Sequence, residues 1–358
     1  MSELLKKLQK NSTIAEASVL AKSALFENRD IASTNVPMMN VALGAHLNGG
    51  LTSGLTMFAG PSKHFKSAFS LLLVKAYMDK YPDAILLFYD SEFGTGGKDY
   101  FKSFKIDDNR VFHVPLENAE KFKFDIMAQL AEIKRGDKVV IFLDSLGNLP
   151  SIKEVDDALE GKGTADMTRA KQFKSIFRML MPQLNIKDIP MIVVNHTYKE
   201  IGLYPKDIVS GGTGAYYSAD NIYIVGRQQE KDGTEVVGWN FVLNVEKSRY
   251  VREKEKITIT VLYDGGISKW SGLMEVALES GHVVKPKNGW YTRVDPDTGE
   301  ANDKNWRLAE TDCKEFWKPI LDDQRFADFI VKKYKIAQGS ILTDEDAEAA
   351  IEKEILNA

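Results

Sequence analysis

Cysteine is nearly absent from this 358-residue chain: Cys313 is the only one. An internal disulfide is therefore excluded, and there is no thiolate cluster to hold a metal. Long apolar runs are missing too. Nothing approaches the roughly eighteen consecutive apolar residues of a membrane span, and the N-terminal MSELLKKLQKNS lacks the apolar core of a signal peptide. These absences point to a cytoplasmic protein with no membrane partner. Internal repeats and low-complexity segments are lacking as well. Charge of one sign is scarce, since 47 Lys and Arg against 51 Asp and Glu leave a formal net charge of -4. A nucleic-acid partner would have to be met by basic residues concentrated locally, not by a uniformly basic surface.

What is present is ordinary for a globular protein: 44% hydrophobic and 27% charged residues, in a chain long enough for one large domain with a smaller appendage. Over residues 3 to 26, apolar side chains at Leu4, Leu5, Leu8, Ile14, Val19, Leu20 and Leu25 predict one or two short amphipathic helices. From Leu55 a different rhythm begins. Short apolar runs (LTMFA, AILLFYD, KVVIFLD, PMIVVN, NIYIVG) alternate with longer stretches of helical spacing. Such runs fit strands buried on both faces, and the helices between them supply the crossovers of a parallel sheet. The fold class is α/β. After Gly238, WNFVLNVEKS and EKITITVLYDGG read as antiparallel strands finishing the sheet. From about Ser271 the chain reads as a small helical and turn-rich appendage with a hairpin-like tip at DPDTGEAND. The expected divisions are an N-terminal helical segment (1–30), a core (31–270) and a small C-terminal domain (271–358).

One glycine is conspicuously missing. AGPSKHFKSAF, Ala59 to Phe69, matches the phosphate-binding pattern of Gly, four residues, then Gly-Lys-Ser, except that Phe65 fills the second glycine slot. Its setting is right: LTMFA supplies a strand, Gly60-Pro61-Ser62-Lys63-His64-Phe65 a loop, and the residues after it a helix of about four turns. The unpaired N–H groups and positive end of that helix suit a phosphate. Lys66 would meet the β and γ phosphates and Ser67 would ligate Mg²⁺. Phe65 is compatible with this if its ring points away. Three further strand ends carry polar groups. Asp144, followed by Ser145, can hold the water shell of Mg²⁺. Asp90 and Glu92 end another strand, and Glu92 is the candidate for orienting or deprotonating the attacking water. Asn195 and His196 end a third and could sense the γ-phosphate. Polar residues end many strands merely because loops are polar. Four such ends on one sheet, where open α/β sheets bind their ligands, point to a working nucleotide site.

With these stretches in place, the sequence resembles the RecA family of recombinases, and within it the UvsX-type recombinases of large phages, from about residue 30 to at least residue 335. The stretches that carry the resemblance are GPSKHFKS, LLFYDSEFG, VIFLDSLGNL, VVNHTY, SGGTGAYYSAD, NVEKSRYVREK and LYDGGISKWSGLMEVALESGHVVKPKNGWY. It implies a RecA-like P-loop ATPase core that uses ATP and Mg²⁺, forms helical filaments on single-stranded DNA and exchanges it into homologous double-stranded DNA. A single-stranded-DNA-binding protein and a recombination mediator are the implied protein partners, in the cytoplasm of an infected host cell. The N-terminal segment would make the subunit contact. The chain ends at EKEILNA without the acidic tail that relatives often carry, as a shortened form would.

Carried over by residue, Gly60, Lys66 and Ser67 match the phosphate loop, Glu92 the catalytic glutamate and Asp144 the Walker B acid. Tyr100 stands where the family stacks a ring on adenine, although a tyrosine packed on a core helix face reads the same way from the residues alone. His196 replaces the family's glutamine, which couples the ATP site to the DNA loop; histidine can donate to a γ-phosphate as an amide does. Two segments resemble the DNA-binding loops. The first, about Pro150 to Thr164, leads into a helix carrying Arg169, Lys171 and Lys174. The second, about Tyr198 to Ser218, is expected to be a long mobile loop and combines Lys199, Lys206, the glycines Gly211, Gly212 and Gly214, and four tyrosines. Basic groups neutralise phosphates, tyrosines stack with bases, and glycines let the backbone approach the strand. Lys247 and Arg249 match the cations that reach a neighbouring subunit's ATP, and strand alternation would place them on one face. Two rivals share the core: a ring-shaped RecA-fold DNA helicase, and a regulatory nucleotide-binding module without hydrolysis. Glu92 argues against the second and the C-terminal match against the first.

Overall fold

The computed structural model describes residues 2–23, 25, 30–93, 97–162, 167–200, 202, 206–295, 298–302 and 304–336. Parts of both expected DNA loops (163–166, 201 and 203–205), part of the 295–303 tip and the final stretch 337–358 lie outside the described residues.

The chain opens with helix α1 (Glu3–Asn11), capped by Ser2, whose Oγ accepts from the Leu5 N–H at 3.2 Å. None of its residues is buried, and Leu4, Leu5 and Leu8 face solvent. Helix α2 (Pro37–Gly44), with proline at its first position, packs under the sheet. Strand β1 (Gly54–Ala59) then leads through the phosphate loop into α3 (Lys66–Lys80). Next come β2 (Ile85–Asp90), α4 (Lys98–Ser103), β3 (Val111–Pro115), α5 (Ala119–Glu132), β4 (Val139–Asp144), α6 (Ile152–Leu159), α7 (Thr168–Lys187) and β5 (Pro190–Asn195). A short hairpin, β6 (Thr197–Lys199) and β7 (Asp207–Val209), and helix α8 (Thr213–Ser218) precede three long strands, β8 (Asn221–Asp232), β9 (Glu235–Lys247) and β10 (Lys256–Leu262), with β11 (Gly266–Ile267) at the edge.

These strands form one nine-stranded sheet in the order β11-β10-β9-β8-β1-β5-β4-β2-β3. The pairs from β8 through β3 are parallel, and β8, β9, β10 and β11 pair antiparallel. Every residue of β1, β4 and β5 is buried, so alternate side chains feed two separate layers. Phe58, Phe142 and Val194 join α3 in one cluster. Met57, Leu143 and Val193 join α5 and α7 in the other. Burying a Phe or Val side chain contributes about 1.5–3 kcal/mol, and this two-sided burial fixes the sheet's register.

The expected parallel sheet and antiparallel finish are both present. Strand β3 is an addition: its residues are half-buried or exposed, so VFHVP carries no continuous apolar run to mark it. The C-terminal segment holds α9 (Leu273–Glu279), a three-stranded sheet of β12 (Val283–Lys287), β13 (Trp290–Arg293) and β14 (Trp306–Arg307), and helices α10 (Lys314–Leu321) and α11 (Gln324–Tyr334). The Val294–Ala301 bridge closes the turn at the expected tip. Trp317, Phe326 and Ile330 share the cluster of the α3 layer, so this segment packs onto the sheet. No helix among the described residues is long and apolar enough to cross a membrane.

Candidate nucleotide and DNA site

Parallel strands β1, β2, β4 and β5 run the same way, so the polar residues at their ends meet at one edge of the sheet. Between β1 and α3 the loop must turn sharply. A Cβ on Gly60 would lie 2.9 Å from the Val225 carbonyl oxygen, which requires glycine there. Lys63 and Phe65 adopt left-handed backbone, with φ of 62° and 59°. That conformation costs a residue bearing a Cβ about 1–2 kcal/mol, which is the reason the pattern asks for glycine at position 65. The Phe65 ring is directed to the sheet, stacked on Phe241 at 5.1 Å and edge-on to Phe69 at 5.6 Å, and so leaves the loop open. Pro61, Ser62 and Lys63 are exposed, and His64 Nδ1 lies 2.8 Å from the Ser62 carbonyl oxygen. Ser67 is half-buried in the first turn of α3.

Lys66 is only 6% exposed, and its Nζ donates to the Pro61 carbonyl at 2.7 Å. Burial lowers its pKa, while the charges of Asp144 and Glu92 act in the opposite sense. A buried ammonium beside one carbonyl and two carboxylates is a fitting seat for polyphosphate, whose charge would restore what burial disfavours. The candidate oxygen donors for a cation are Ser67 and Asp144, the latter buried at the end of β4. Among the described residues no group of three or more His, Cys, Asp or Glu could enclose a metal. Mg²⁺ is commonly held by one or two carboxylates, waters and substrate phosphates and not by a protein cage.

Register explains how Glu92 is presented. Asp90 pairs with Asp144 across β2 and β4, which brings the following serines side by side. Ser91 Oγ donates to the Ser145 carbonyl at 2.7 Å and accepts from the Ser145 N–H at 3.0 Å; the Asp144–Ser145 peptide is cis. Asp90, itself buried, accepts from the Glu92 and Phe93 N–H groups, both at 2.9 Å, and lies 3.2 Å from His113 Nε2. The turn so held aims the Glu92 carboxylate at two groups. Ser145 Oγ donates to Oε1 at 2.8 Å, and His196 Nε2 lies 3.1 Å from the same oxygen. Gly147 makes room, since a Cβ there would sit 2.3 Å from the His196 ring. Ser91, Ser145, Gly147 and His113 had no assigned part in the sequence reading. The repeated Asp-Ser at the ends of β2 and β4 was the available signal.

A polar chain leads on from His196. Its N–H donates to Asn195 Oδ1 at 2.8 Å, and that oxygen also accepts from Ser210 Oγ at 3.0 Å. Asn195 Nδ2 donates to the Ser210 carbonyl at 2.9 Å. Ser210 immediately precedes Gly211 and Gly212, so hydrogen bonds connect His196 to the second segment expected to bind DNA.

Tyr100, on α4, lies edge-on to Phe104 at 5.6 Å. Burial, then Asp144, push its pKa up to about 12. With Phe65, Phe104 and Gly266 it lines a cleft of about 1100 Å³ that runs along α3 past Leu72 and Lys75.

The described residues of the two segments expected to bind DNA include regular elements. In the first, Ser151 and Glu154 form a capping box that starts α6, a Ser-x-x-Glu signal present in the sequence. Arg169 is half-buried and donates to the Leu146 and Gly147 carbonyls; Lys171 and Lys174 on the same helix are exposed. In the second, β6 and β7 form a hairpin, with Lys199 paired to Asp207 at 2.9 Å and Lys206 exposed. Gly211 and Gly212 have φ of 89° and 76° and turn the chain into α8, which packs closely on α7. Tyr198 and Tyr217 stand exposed.

Lys247 and Arg249 differ from expectation. Strand β9 ends at Lys247, and Ser248 Oγ accepts from the Tyr250 and Val251 N–H groups, so a turn replaces the alternation that would have put both cations on one strand face. Lys247 Nζ donates to the Tyr216 and Tyr217 carbonyls at 3.0 and 2.9 Å. Arg249 pairs with Asp220, whose Oδ2 accepts from the Leu55 N–H at 2.8 Å. Lys247 pairs with Ile222, and Ile222 with Met57. Lys247 is therefore level with Met57 in the middle of β1 and Arg249 lies near Leu55 at its start, while the phosphate loop leaves the far end. At about 3.3 Å per residue the Lys247 backbone is some 10 Å short of Gly60 along the strand and two strands to the side.

Comparison with known proteins identifies relatives of the chain. A family model described as the C-terminal domain of the bacteriophage T4 recombination and repair protein matches residues 270–330. The chain is 48% identical over 362 residues to the recombination and repair protein of Enterobacteria phage T4, covering 100% of this chain and 92% of that protein. It is 25% identical over 325 residues to the RecA protein of Streptomyces venezuelae (89% of this chain, 80% of that protein) and 23% identical over 273 residues to that of a Nocardioides species (75% of each). On the strength of the full-length match, the chain belongs to the family of the phage T4 recombination and repair protein, a branch of the RecA recombinases.

Proposed function

We propose that this protein is an ATP-driven strand-exchange protein that polymerises on single-stranded DNA and pairs it with a homologous duplex. The observation that carries the reading is the meeting of Lys66, Ser67, Glu92, Asp144 and His196 at the strand ends, while Lys247 and Arg249 are bonded within the Tyr216–Asp220 corner two strands to the side. In this reading residues 31–270 are the ATPase and DNA-binding core and 271–358 a small C-terminal domain. The exposed leucines of α1 suit a contact with the next subunit, making 1–30 the linking segment. None of the relatives above is named as a helicase. A single-stranded-DNA-binding protein and a mediator would serve as partners in the host cytoplasm.

The loop from Gly60 through Phe65 binds the phosphates with its N–H groups and Lys66 neutralises them. Mg²⁺, held by Ser67 and Asp144, would neutralise further phosphate charge. Tyr100 covers the base. Glu92 takes the proton of the attacking water. One oxygen of Glu92 is engaged by Ser145 and His196, so the carboxylate is restrained until His196 shifts. DNA that grips Lys199, Lys206 and the Gly211–Gly212 turn would pull on Ser210 and Asn195, and thereby on His196. A neighbouring subunit supplies Lys247 and Arg249 to stabilise transition-state charge; DNA binding and hydrolysis are thus linked through assembly.

Electron microscopy with single-stranded DNA and a slowly hydrolysed ATP analogue tests the class: helical filaments are expected, and closed rings would contradict it. The DNA face is tested by salt dependence. Lys171→Ala should weaken single-stranded DNA binding for all sequences alike and flatten the log–log salt slope by roughly one unit at most. Arg169→Ala should also lower thermal stability, because its bonds to the Leu146 and Gly147 carbonyls are lost. An unchanged slope for the lysine variant would place Lys171 on an ordinary solvated helix.

A further inference from the structure

Lys63 and Phe65 both hold the left-handed backbone that side-chain-bearing residues seldom adopt. Each is gripped from the β8–β9 hairpin, and by the two members of a single cross-strand pair. Arg227 and Phe241 are register partners, so their side chains leave the same face of the sheet. Arg227 Nη1 donates to the Lys63 carbonyl at 3.2 Å. Its guanidinium lies 4.5 Å from the ring of Trp239, which stands two residues from Phe241 on that same face. Phe241 stacks on Phe65 at 5.1 Å with an interplanar angle of 23°, and both rings meet Phe69 of α3 edge-on.

We infer that Arg227 and Phe241 are positioning residues for nucleotide binding: this pair holds the phosphate loop in a shape that glycine would adopt unaided. Loss of the Phe241 ring leaves nothing flat to stack Phe65 against, and the loop then drifts toward ordinary right-handed or extended backbone. The N–H groups of residues 63 to 67 would swing away from a common centre. With glycine at position 65 the left-handed shape carries no such penalty, and the clamp becomes dispensable there. The inference rests on reading residues 60–67 as the ATP loop.

The test is a double-mutant cycle on affinity for a fluorescent, slowly hydrolysed ATP analogue. Phe241→Leu keeps apolar bulk and removes the flat ring; Phe65→Gly removes the residue that needs it. In the parent background Phe241→Leu should weaken binding about 5- to 30-fold. In the Phe65→Gly background the same change should alter binding less than about twofold, while thermal melting reports any general loss of stability in either background. Rescue by glycine is the outcome that a merely structural Phe241 would not produce. Arg227→Ala, alone and with Lys63→Gly, forms a second cycle with the same expected pattern. Equal losses in both backgrounds, or no loss in the parent, would overturn the inference. A parent protein that does not bind the analogue at all would instead remove the nucleotide reading, and the inference with it.

Discussion

A Lys66→Ala protein is expected to lose ATP hydrolysis, with DNA-stimulated phosphate release falling by about 10²–10³-fold or more. Lys66 is a buried cation, bonded to the Pro61 carbonyl and drawn toward Asp144 and Glu92. Removing it takes away the side-chain positive charge that would face the phosphates beside these two carboxylates. The helix behind it should survive, because α3 is anchored by Phe69, Leu73 and Val74 in the core and alanine is a good helix former. Steady-state hydrolysis with and without single-stranded DNA measures the effect. Turnover at the parent rate would make the match of Gly60 to Ser67 a coincidence.

Glu92→Gln should fail differently. The amide keeps the shape of the side chain, and its carbonyl oxygen can still accept from Ser145 Oγ, but it cannot take a proton from water. Turnover should drop by roughly 10²-fold or more, with ATP and DNA binding retained. Filaments of this variant should therefore persist where the parent's disassemble. Loss of nucleotide binding in Glu92→Gln would mark the residue as structural.

Much of the sheet was legible because burial on both faces writes a plain signal: LTMFA, KVVIFLD and PMIVVN are unbroken apolar runs, and each is a strand. VFHVP was not legible, because an edge strand is half solvated and its composition does not separate it from a loop. The α6 helix was missed although Ser151 and Glu154 spell its cap, because the stretch from Pro150 to Thr164 resembles a DNA-binding loop. The strand-end positions of Glu92, Asp144 and His196 followed from sequence order alone. Their mutual contacts did not, because they depend on the Asp90–Asp144 register and on the room left by Gly147.

Lys247 and Arg249 show the limit of periodicity as a guide. Alternation holds only while a strand lasts, and β9 stops at Lys247, where Ser248 turns the chain. The placement that resulted is more informative than the expected one. Lys247, level with Met57 and bonded to the Tyr216 and Tyr217 carbonyls, and Arg249, paired with Asp220, either hold the Tyr216–Asp220 corner or act on a neighbour. Arg110 illustrates the purely structural alternative, its guanidinium donating to the carbonyls of Tyr81, Pro82 and Ala84 to fasten a corner.

Mixing two inactive proteins separates these possibilities most directly. One carries Lys66→Ala, with a broken loop and intact cations; the other carries Lys247→Ala and Arg249→Ala, with an intact loop and no cations to lend. Each alone should be inactive with DNA, and the second should still bind ATP. In mixed filaments an intact loop will sometimes face an intact pair of cations, so hydrolysis should reappear and scale with the product of the two fractions, peaking near an equal mixture. Persistent inactivity at every ratio, with co-assembly on DNA verified, would contradict a shared active site and leave Lys247 and Arg249 as residues of their own subunit's fold.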